Sequence, residues 1–388
     1  MKPEKRLHWT GYMLLNTILD LIVEACQYSY EDKQSIRLMA TNEDENGRWQ
    51  LDSLATFQAA SFVSMFFNIR EQKDAEALYA IANLNQWAHI VAEHLNATSD
   101  ARITFLTSGS TGKAKQISKP LYALEQEARI WLRLNGDVRY VYSMVATHHI
   151  YGFIWATILP ALCNVNVVDA RQLPLSVIIQ HNKSLIVTIA DGLSMLQAIR
   201  HKMLSQCNVV ISGSPCHHRH LKYAADIGVK RVIQIYGSTE TGGVGWRDQC
   251  HTEYRLREDL MFIGTDIYQG ESRLDIQDHL KVVSANSFVI EGRKDGMIQI
   301  KGRNVDIGEV RHKISQHPEI IDSAIKIKEH DEIKSIHVFI VPVRDALKDK
   351  LRYEIVTLCE QSVLAQNIVF GEKLPKNEMG KVADWSTS

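Results

Sequence analysis

The densest chemistry in the 388-residue sequence lies in Phe105-Leu-Thr-Ser-Gly-Ser-Thr-Gly-Lys-Ala-Lys115, a hydroxyl- and glycine-rich loop that follows a short apolar run. Thr107, Ser108, Ser110 and Thr111 offer hydroxyls, Gly109 and Gly112 let backbone N–H groups approach a ligand, and Lys113 and Lys115 add positive charge. Such a set suits a polyphosphate. A Walker A loop requires G-x-x-x-x-G-K-[ST], whereas here Gly109 and Gly112 are three apart and Ala114 follows Lys113, so that loop type is excluded on spacing. Taken alone, the segment is also compatible with a plain Ser/Gly turn carrying solvated lysines.

Further segments follow in a fixed order. They are His149-Ile-Tyr-Gly152, Val209-Val-Ile-Ser-Gly-Ser-Pro215, Ile235-Tyr-Gly-Ser-Thr-Glu240, Ile290-Glu-Gly-Arg-Lys-Asp295 and Leu374-Pro-Lys-Asn-Glu-Met-Gly-Lys381. Together with the loop they resemble the signatures of the AMP-forming superfamily of acyl-CoA synthetases, adenylation domains and luciferases. The resemblance spans residues 103 to 381. It implies phosphate binding by Thr107–Lys115 and an adenine and acyl border at Gly213 and Ser214. Tyr236 would lie beside adenine with Gly237 and Ser238, Thr239 at a phosphate, and Glu240 on a Mg²⁺ ion, a hard cation suited to a carboxylate. Arg293 would contact ribose or phosphate, Asp295 would be a hinge between domains, Lys381 would reach the site during adenylation, and His149 would border the acid pocket.

The sequence departs from that pattern in two places. The family's Thr-Gly-Asp ribose element is missing; fifteen residues before Arg293 stands Asp278, in Ile276-Gln-Asp-His-Leu280, which is assigned to ribose with an ordinary loop aspartate as the alternative. The chain is also shorter than the resemblance implies, chiefly before Ser108 and between Glu240 and Asp278. For His149 a hydrogen-bonded loop histidine is the competing reading, and for Lys381 a solvated lysine near a fraying polar tail.

The elements that must position these residues follow from hydrophobic patterning. Leu14 to Val23, interrupted by Asn16, Asp20 and Glu24, predicts an amphipathic helix rather than a secretory segment. Residues 1–100 alternate helical-period segments, such as Ala75 to Leu95, with polar turns such as Asn42 to Gly47, and carry no chemical motif. Short apolar runs at Ile103–Leu106, Val165–Val168, Ser184–Ile189, Val209–Ile211 and Arg231–Ile235 predict a mostly parallel α/β sheet. Beyond residue 296, strands at Met297–Ile300, Ser323–Lys328 and His337–Val341 and helices near 307–316 and 346–363 predict a small α+β domain. The expected architecture is a large α/β domain over 1–294, its N-terminal part shortened, and a small mobile C-terminal α+β lid over 295–388.

Composition excludes several classes. Forty-four Lys+Arg against forty-five Asp+Glu give a formal charge of −1, so no global basic field points to nucleic acid. No apolar run is long enough for a membrane span. Six cysteines without a CxxC pair suit a reducing cytoplasm, and neither His148-His149 nor His217-His218 has helical ligand spacing for zinc.

The function implied is ATP-dependent activation of a carboxylic acid to acyl-AMP with loss of pyrophosphate, then transfer to a thiol. Cofactors and partners are ATP, Mg²⁺, the thiol of coenzyme A or of phosphopantetheine on a carrier protein acting in trans, and a small carboxylic acid. Which acid is activated is not readable from the sequence; the low bulk of Thr241-Gly-Gly-Val-Gly245 and the presence of His149 and Tyr151 are compatible with an aryl or hydroxyaryl acid. The alternatives are a non-thiol acceptor and a catalytically silent nucleotide-binding homologue serving as a partner subunit.

Overall fold

The computed structural model describes residues 6–27, 29–30, 32–108, 114–171, 183–198, 204–213, 218–248, 252–294, 297–300, 303–330, 333–343, 347–358, 367–378, 381–383 and 385. They form two compact units, Met1–Leu260 and Met261–Ser388.

The first unit opens with five helices: α1 (Gly11–Cys26), α2 (Lys33–Thr41), α3 (Ser53–Phe66), α4 (Gln72–Ala80) and α5 (Leu84–Ala97). Helix α1 buries Leu14, Ile18, Leu21 and Ile22, the stripe its periodicity predicts, and packs on α3 and α5. The single helical segment expected over Ala75 to Leu95 is two helices. Asn83 breaks it by capping α5, its side-chain oxygen accepting from Gln86 N at 3.0 Å, as Asp32 and Asp52 cap α2 and α3.

Strands β1 (Arg102–Ser108) and β2 (Ala114–Pro120) pair as an antiparallel hairpin. The run Ile103–Leu106 therefore lies outside the parallel sheet expected for it. After helix α6 (Leu121–Asn135) come β3 (Tyr140–Ser143), β4 (Asn166–Asp169), β5 (Ser184–Thr188), β6 (Cys207–Ile211) and β7 (Arg231–Ser238), parallel in the order β4-β3-β5-β6-β7. Strands β8 (Gly242–Asp248) and β9 (Tyr254–Leu256) continue from β7 in antiparallel pairing.

The strand side chains divide by alternation between two cores, as a sheet covered on both faces requires. Leu185, Val187, Val210 and Ile233 join a core with the helical scaffold, Trp87, Trp131 and Trp155. Ile186, Val209, Ile211 and Val232 join Leu193, Leu196 and Leu221 on the opposite face. Phe105 of β1 is locked into the first core by edge-on contacts with Phe66 at 5.4 Å and Phe153 at 5.9 Å, which ties the base of the β1–β2 hairpin to the scaffold.

The second unit carries a three-stranded meander, β10 (Met261–Ile263), β11 (Asp266–Gln269) and β12 (Ser272–Arg273), and a hairpin of β13 (Asp278–Ser284) with β14 (Ser287–Arg293). A shorter hairpin, β15 (Met297–Ile300) with β16 (Arg303–Asp306), precedes the helix Ile307–Ser315. Strands β17 (Ile320–His330) and β18 (Ile333–Pro342) pair antiparallel, and β19 (Ile368–Phe370) pairs parallel to β18 after the helix Lys348–Leu358. Val310, Ile314, Ile336, Val338, Ile340, Leu351, Ile355 and Ile368 form its core. The chain is thus α/β with a large parallel-containing sheet and a smaller α+β part, as its patterning predicts. Within the polar tail expected to fray after Lys381, Trp385 is instead docked. That ring is buried, 5.7 Å from Phe339 with Lys326 over its face at 4.2 Å.

Candidate active site

Parallel strands of an open sheet deliver their loops at the carboxyl ends, where ligands of α/β proteins bind. Three of the motif segments leave the sheet there. His149 follows β3, Gly213 follows β6, and Thr239 and Glu240 form the turn after β7. Hydrogen bonds fasten these loops to the strand ends. Tyr151 Oη donates toward the carbonyl oxygens of Thr188 and Val210 at 3.0 and 2.8 Å, and Ser212 Oγ donates to Ile235 O at 3.1 Å. Burial pushes the Tyr151 hydroxyl well above the ordinary phenol range. The Tyr151 hydroxyl is thus taken up by main chain.

His149 precedes the helical turn Ile150–Phe153, whose first intrahelical bond runs from Phe153 N to His149 O at 2.8 Å. A π-helical turn, Ile154–Ile158, continues it. The glycine of this motif has a steric cause: a Cβ on Gly152 would lie 2.1 Å from the Ala146 carbonyl oxygen. The turn between β3 and the helix is therefore packed backbone against backbone. The neighbouring His148 is buried, its ring 4.1 Å from that of His149. Neither His148 ring nitrogen has a hydrogen-bond partner among the described residues. Burial drives its pKa down to about 4 against the opposing pull of Asp20.

The Tyr236–Glu240 segment is held from beneath. A Cβ on Gly237 would meet Gly242 O at 2.1 Å, and one on Gly243 would meet the Trp131 ring at 2.6 Å. Gly237 and Gly243 therefore serve close packing, and the space above Gly243 is filled by Trp131 and Glu127 rather than left for an acid, contrary to the low-bulk reading of Thr241–Gly245. Glu127, on α6, accepts from Gly243 N at 2.8 Å, Trp131 Nε1 at 3.0 Å and Arg257 Nη1 at 3.0 Å. Arg257 also binds Gly243 O at 2.6 Å and Asp259 at 2.6 Å. Its burial works against the charge, but Glu127 and Asp259 outweigh that and raise its pKa further. Glu240 itself is exposed, its carbonyl oxygen accepting from Lys119 Nζ of β2. That bond joins the β1–β2 hairpin to the turn bearing Glu240. Desolvation lowers the Lys119 pKa, with Glu127 opposing.

Thr107 and Lys115 face each other across the hairpin, followed by Ser108 opposite Ala114. Gly109, Ser110, Thr111, Gly112 and Lys113, Ser214, and Asp295, the residue expected to be the hinge, lie outside the described residues. Tyr236 has its ring 5.8 Å from Tyr254.

Within the second unit the fifteen-residue spacing of Asp278 and Arg293 has a structural meaning, because the two are direct cross-strand partners of the β13–β14 hairpin. Asp278 lines a cleft of about 160 Å³ with Thr265, Asp266, His279, Glu291 and Lys294. Lys381 is exposed in a closed turn: its N–H donates to Asn377 Oδ1 at 3.0 Å, and Asn377 N donates to Lys381 O at 2.8 Å. Among the described residues no group of three or more His, Cys, Asp or Glu could hold a metal by itself. A Mg²⁺ ion fits Glu240 only as one carboxylate sharing the ion with substrate phosphates, the arrangement Mg²⁺ ordinarily takes.

Lys119, Glu127 and Arg257 are the residues that motif reading missed. Lys119 and Glu240 are 121 positions apart and Glu127 and Gly243 are 116 apart, and neither pairing leaves a local signal.

Comparison with known proteins agrees with this layout. A 4-coumarate–CoA ligase of Cereibacter sphaeroides is 29% identical over 346 residues, covering 86% of this chain and 83% of its own length. One from Rhodobacter capsulatus is 28% identical over 353 residues, covering 88% and 91%. The near-equal shares mean that this chain and these relatives are of similar length. ATP-bound MatB from Rhodopseudomonas palustris superposes with a TM-score of 0.59 over 95% of this chain and 91% of its own at 12% identity, a likeness of fold. The sequence profile of the AMP-binding enzyme family matches residues 11–305, more than half of the chain and every motif segment but the last, and the chain belongs to that family, within the adenylate-forming superfamily.

Proposed function

We propose that this AMP-forming enzyme is an acid–coenzyme A ligase acting on an aromatic carboxylic acid. The observation that carries the reading is the family match over 11–305, joined to whole-length relatives that are 4-coumarate–CoA ligases. In the first half-reaction a carboxylate oxygen of the acid attacks the α-phosphorus of ATP, and the bond to the β-phosphate oxygen breaks to release pyrophosphate. In the second, the thiol sulfur attacks the acyl carbon of the mixed anhydride, its proton is lost, and AMP leaves.

The difficulty is charge, since two anions meet while a third forms, so catalysis rests on fixed donors and cations rather than on a covalent enzyme intermediate. In this proposal Thr107 to Lys115 hold the β- and γ-phosphates, Thr239 a phosphate oxygen, and Tyr236 lies against adenine with Gly213, Ser214, Gly237 and Ser238. Mg²⁺, when bound, neutralises phosphate charge, with Glu240 as its protein carboxylate. Asp278 and Arg293 serve the ribose, His149 borders the acid, Asp295 is the pivot between 1–294 and 295–388, and Lys381 bridges the carboxylate and α-phosphate during adenylation.

A panel of aryl and alkyl acids in ATP–pyrophosphate exchange, followed by thioester formation with coenzyme A or a phosphopantetheinylated carrier protein, tests this. The expected result is fastest exchange with aryl acids, 4-coumarate among them, and thioester with free coenzyme A. Exchange without thioester would move the acceptor away from thiols. Absence of exchange with every acid would leave the silent partner-subunit reading in its place.

A further inference from the structure

The helical scaffold carries no chemical motif, yet it buries a carboxylate beside the candidate acid pocket. Asp20, on α1, is 2% exposed. Its Oδ2 accepts from both the backbone N–H and the hydroxyl of Thr147, at 2.7 and 2.8 Å. Its Oδ1 accepts from Arg171 Nη2 at 2.7 Å and from Arg37. The two arginines converge in turn on Asp169, at the end of β4, with Arg37 Nη1 at 3.2 Å and Arg171 Nε at 2.7 Å. One carboxylate thus satisfies four donors from three other elements. Burial opposes its ionisation, but Arg171 and Arg37 outweigh that and hold its pKa below the usual carboxylate range.

Thr147 lies in the turn from β3 to His149, two residues before the histidine. The rest of that turn is already fixed by Ser143 Oγ on Val145 O at 2.9 Å and by Gly152 against Ala146. Thr147 is 1% exposed, so without Asp20 its N–H and hydroxyl would be stranded and the turn would rearrange to satisfy them.

We infer that Asp20 is a positioning residue of the acid pocket, setting through Thr147 the placement of the His148–His149 turn that the carboxylic acid meets. The inference rests on the acid–thiol ligase reading above. It separates Asp20 from ordinary scaffold: a purely structural ion cluster would change stability alone, whereas a positioning carboxylate changes acid binding while leaving ATP binding at the β7 turn alone.

Thr147→Val keeps the shape and the backbone bond but removes the hydroxyl bond, Thr147→Ser keeps both, and Asp20→Asn cannot accept all four donors. In pyrophosphate exchange, Thr147→Val should raise KM for the acid about tenfold with KM for ATP unchanged, and Thr147→Ser should restore the wild-type value. Equal changes in both KM values, or none in either, overturn the inference even though the ligase reading stands.

Hydrogen exchange of residues 143–153 supplies an arm that needs no turnover. In Asp20→Asn and Thr147→Val the amides of this segment should lose protection while those of β5 and β6 keep theirs. Unchanged protection there, or a loss spread evenly over the unit, overturns it. A wild-type protein inactive with every acid would sink the ligase reading instead, and the exchange arm would still decide whether Asp20 fixes the turn.

Discussion

Replacing Glu127 by alanine is the sharpest test of how the first unit supports its candidate nucleotide site. The side chain is nearly buried and is the common acceptor for Gly243 N, Trp131 Nε1 and Arg257 Nη1. Its removal leaves Arg257, itself 3% exposed, with Asp259 as its remaining carboxylate and strands two N–H groups. Losing one partner of a buried ion pair costs about 3–5 kcal/mol. Asp259, at 2.6 Å, keeps Arg257 partly compensated, so the expected loss lies near the lower end, about 3 kcal/mol. Glu127→Gln keeps one accepting oxygen and should lose about half as much. Urea unfolding followed by tryptophan fluorescence reads both variants, Trp131 being in the cluster. Because β8 and the Thr239–Glu240 turn rest on this cluster, KM for ATP should rise in parallel. An alanine variant within about 1 kcal/mol of wild type, or one with unaltered ATP use, would refute the argument that the cluster supports this turn.

Other outcomes follow from single residues. His148 is held neutral, its pKa near 4 against about 6.5 unfolded, so below pH 6.5 the unfolded chain binds the extra proton and this residue's stabilisation falls as pH drops toward 4. Wild type should lose about 2 kcal/mol more than His148→Phe between pH 7 and pH 5, read by urea midpoints at each pH; parallel curves would reject the buried neutral imidazole. Gly152→Ala forces backbone from backbone at the Ala146 carbonyl and should cost about 1–3 kcal/mol in thermal or urea unfolding, a neutral effect contradicting the close approach. Asp278→Ala should raise KM for ATP in pyrophosphate exchange, and unchanged ATP affinity would remove Asp278 from the ribose site. Lys381→Ala should lower kcat and kcat/KM for acyl-AMP formation by roughly a few hundredfold with thioester formation from supplied acyl-AMP intact. Equal loss in both half-reactions would reject the pivoting account, and no loss in either would reject Lys381 as catalytic.

The order of the motifs and the patterning of residues 101–388 were enough to name the family, the α/β class and the smaller α+β part, because those signals are local. A glycine-rich loop after an apolar run and a period-two strand are written in adjacent residues. Local pattern misplaced the partner of Ile103–Leu106, however, since a strand's sequence does not say which strand it pairs with. It also missed the break at Asn83, where a single capping side chain divides one helical stretch, and the docking of Trp385.

What only the tertiary structure decided is why the site residues stand where they do. The run Thr241–Gly245 reads as low bulk in the sequence, and its Gly243 is a tight contact against Trp131 in the fold. Asp20 reads as the polar face of an amphipathic helix and proves to be a buried acceptor for Thr147, Arg37 and Arg171. In each case the deciding partner is distant along the chain, 127 positions for Asp20 and Thr147. Desolvation and hydrogen-bond satisfaction act on distances in space, and the linear pattern carries no record of which distant donor will arrive beside a given carboxylate.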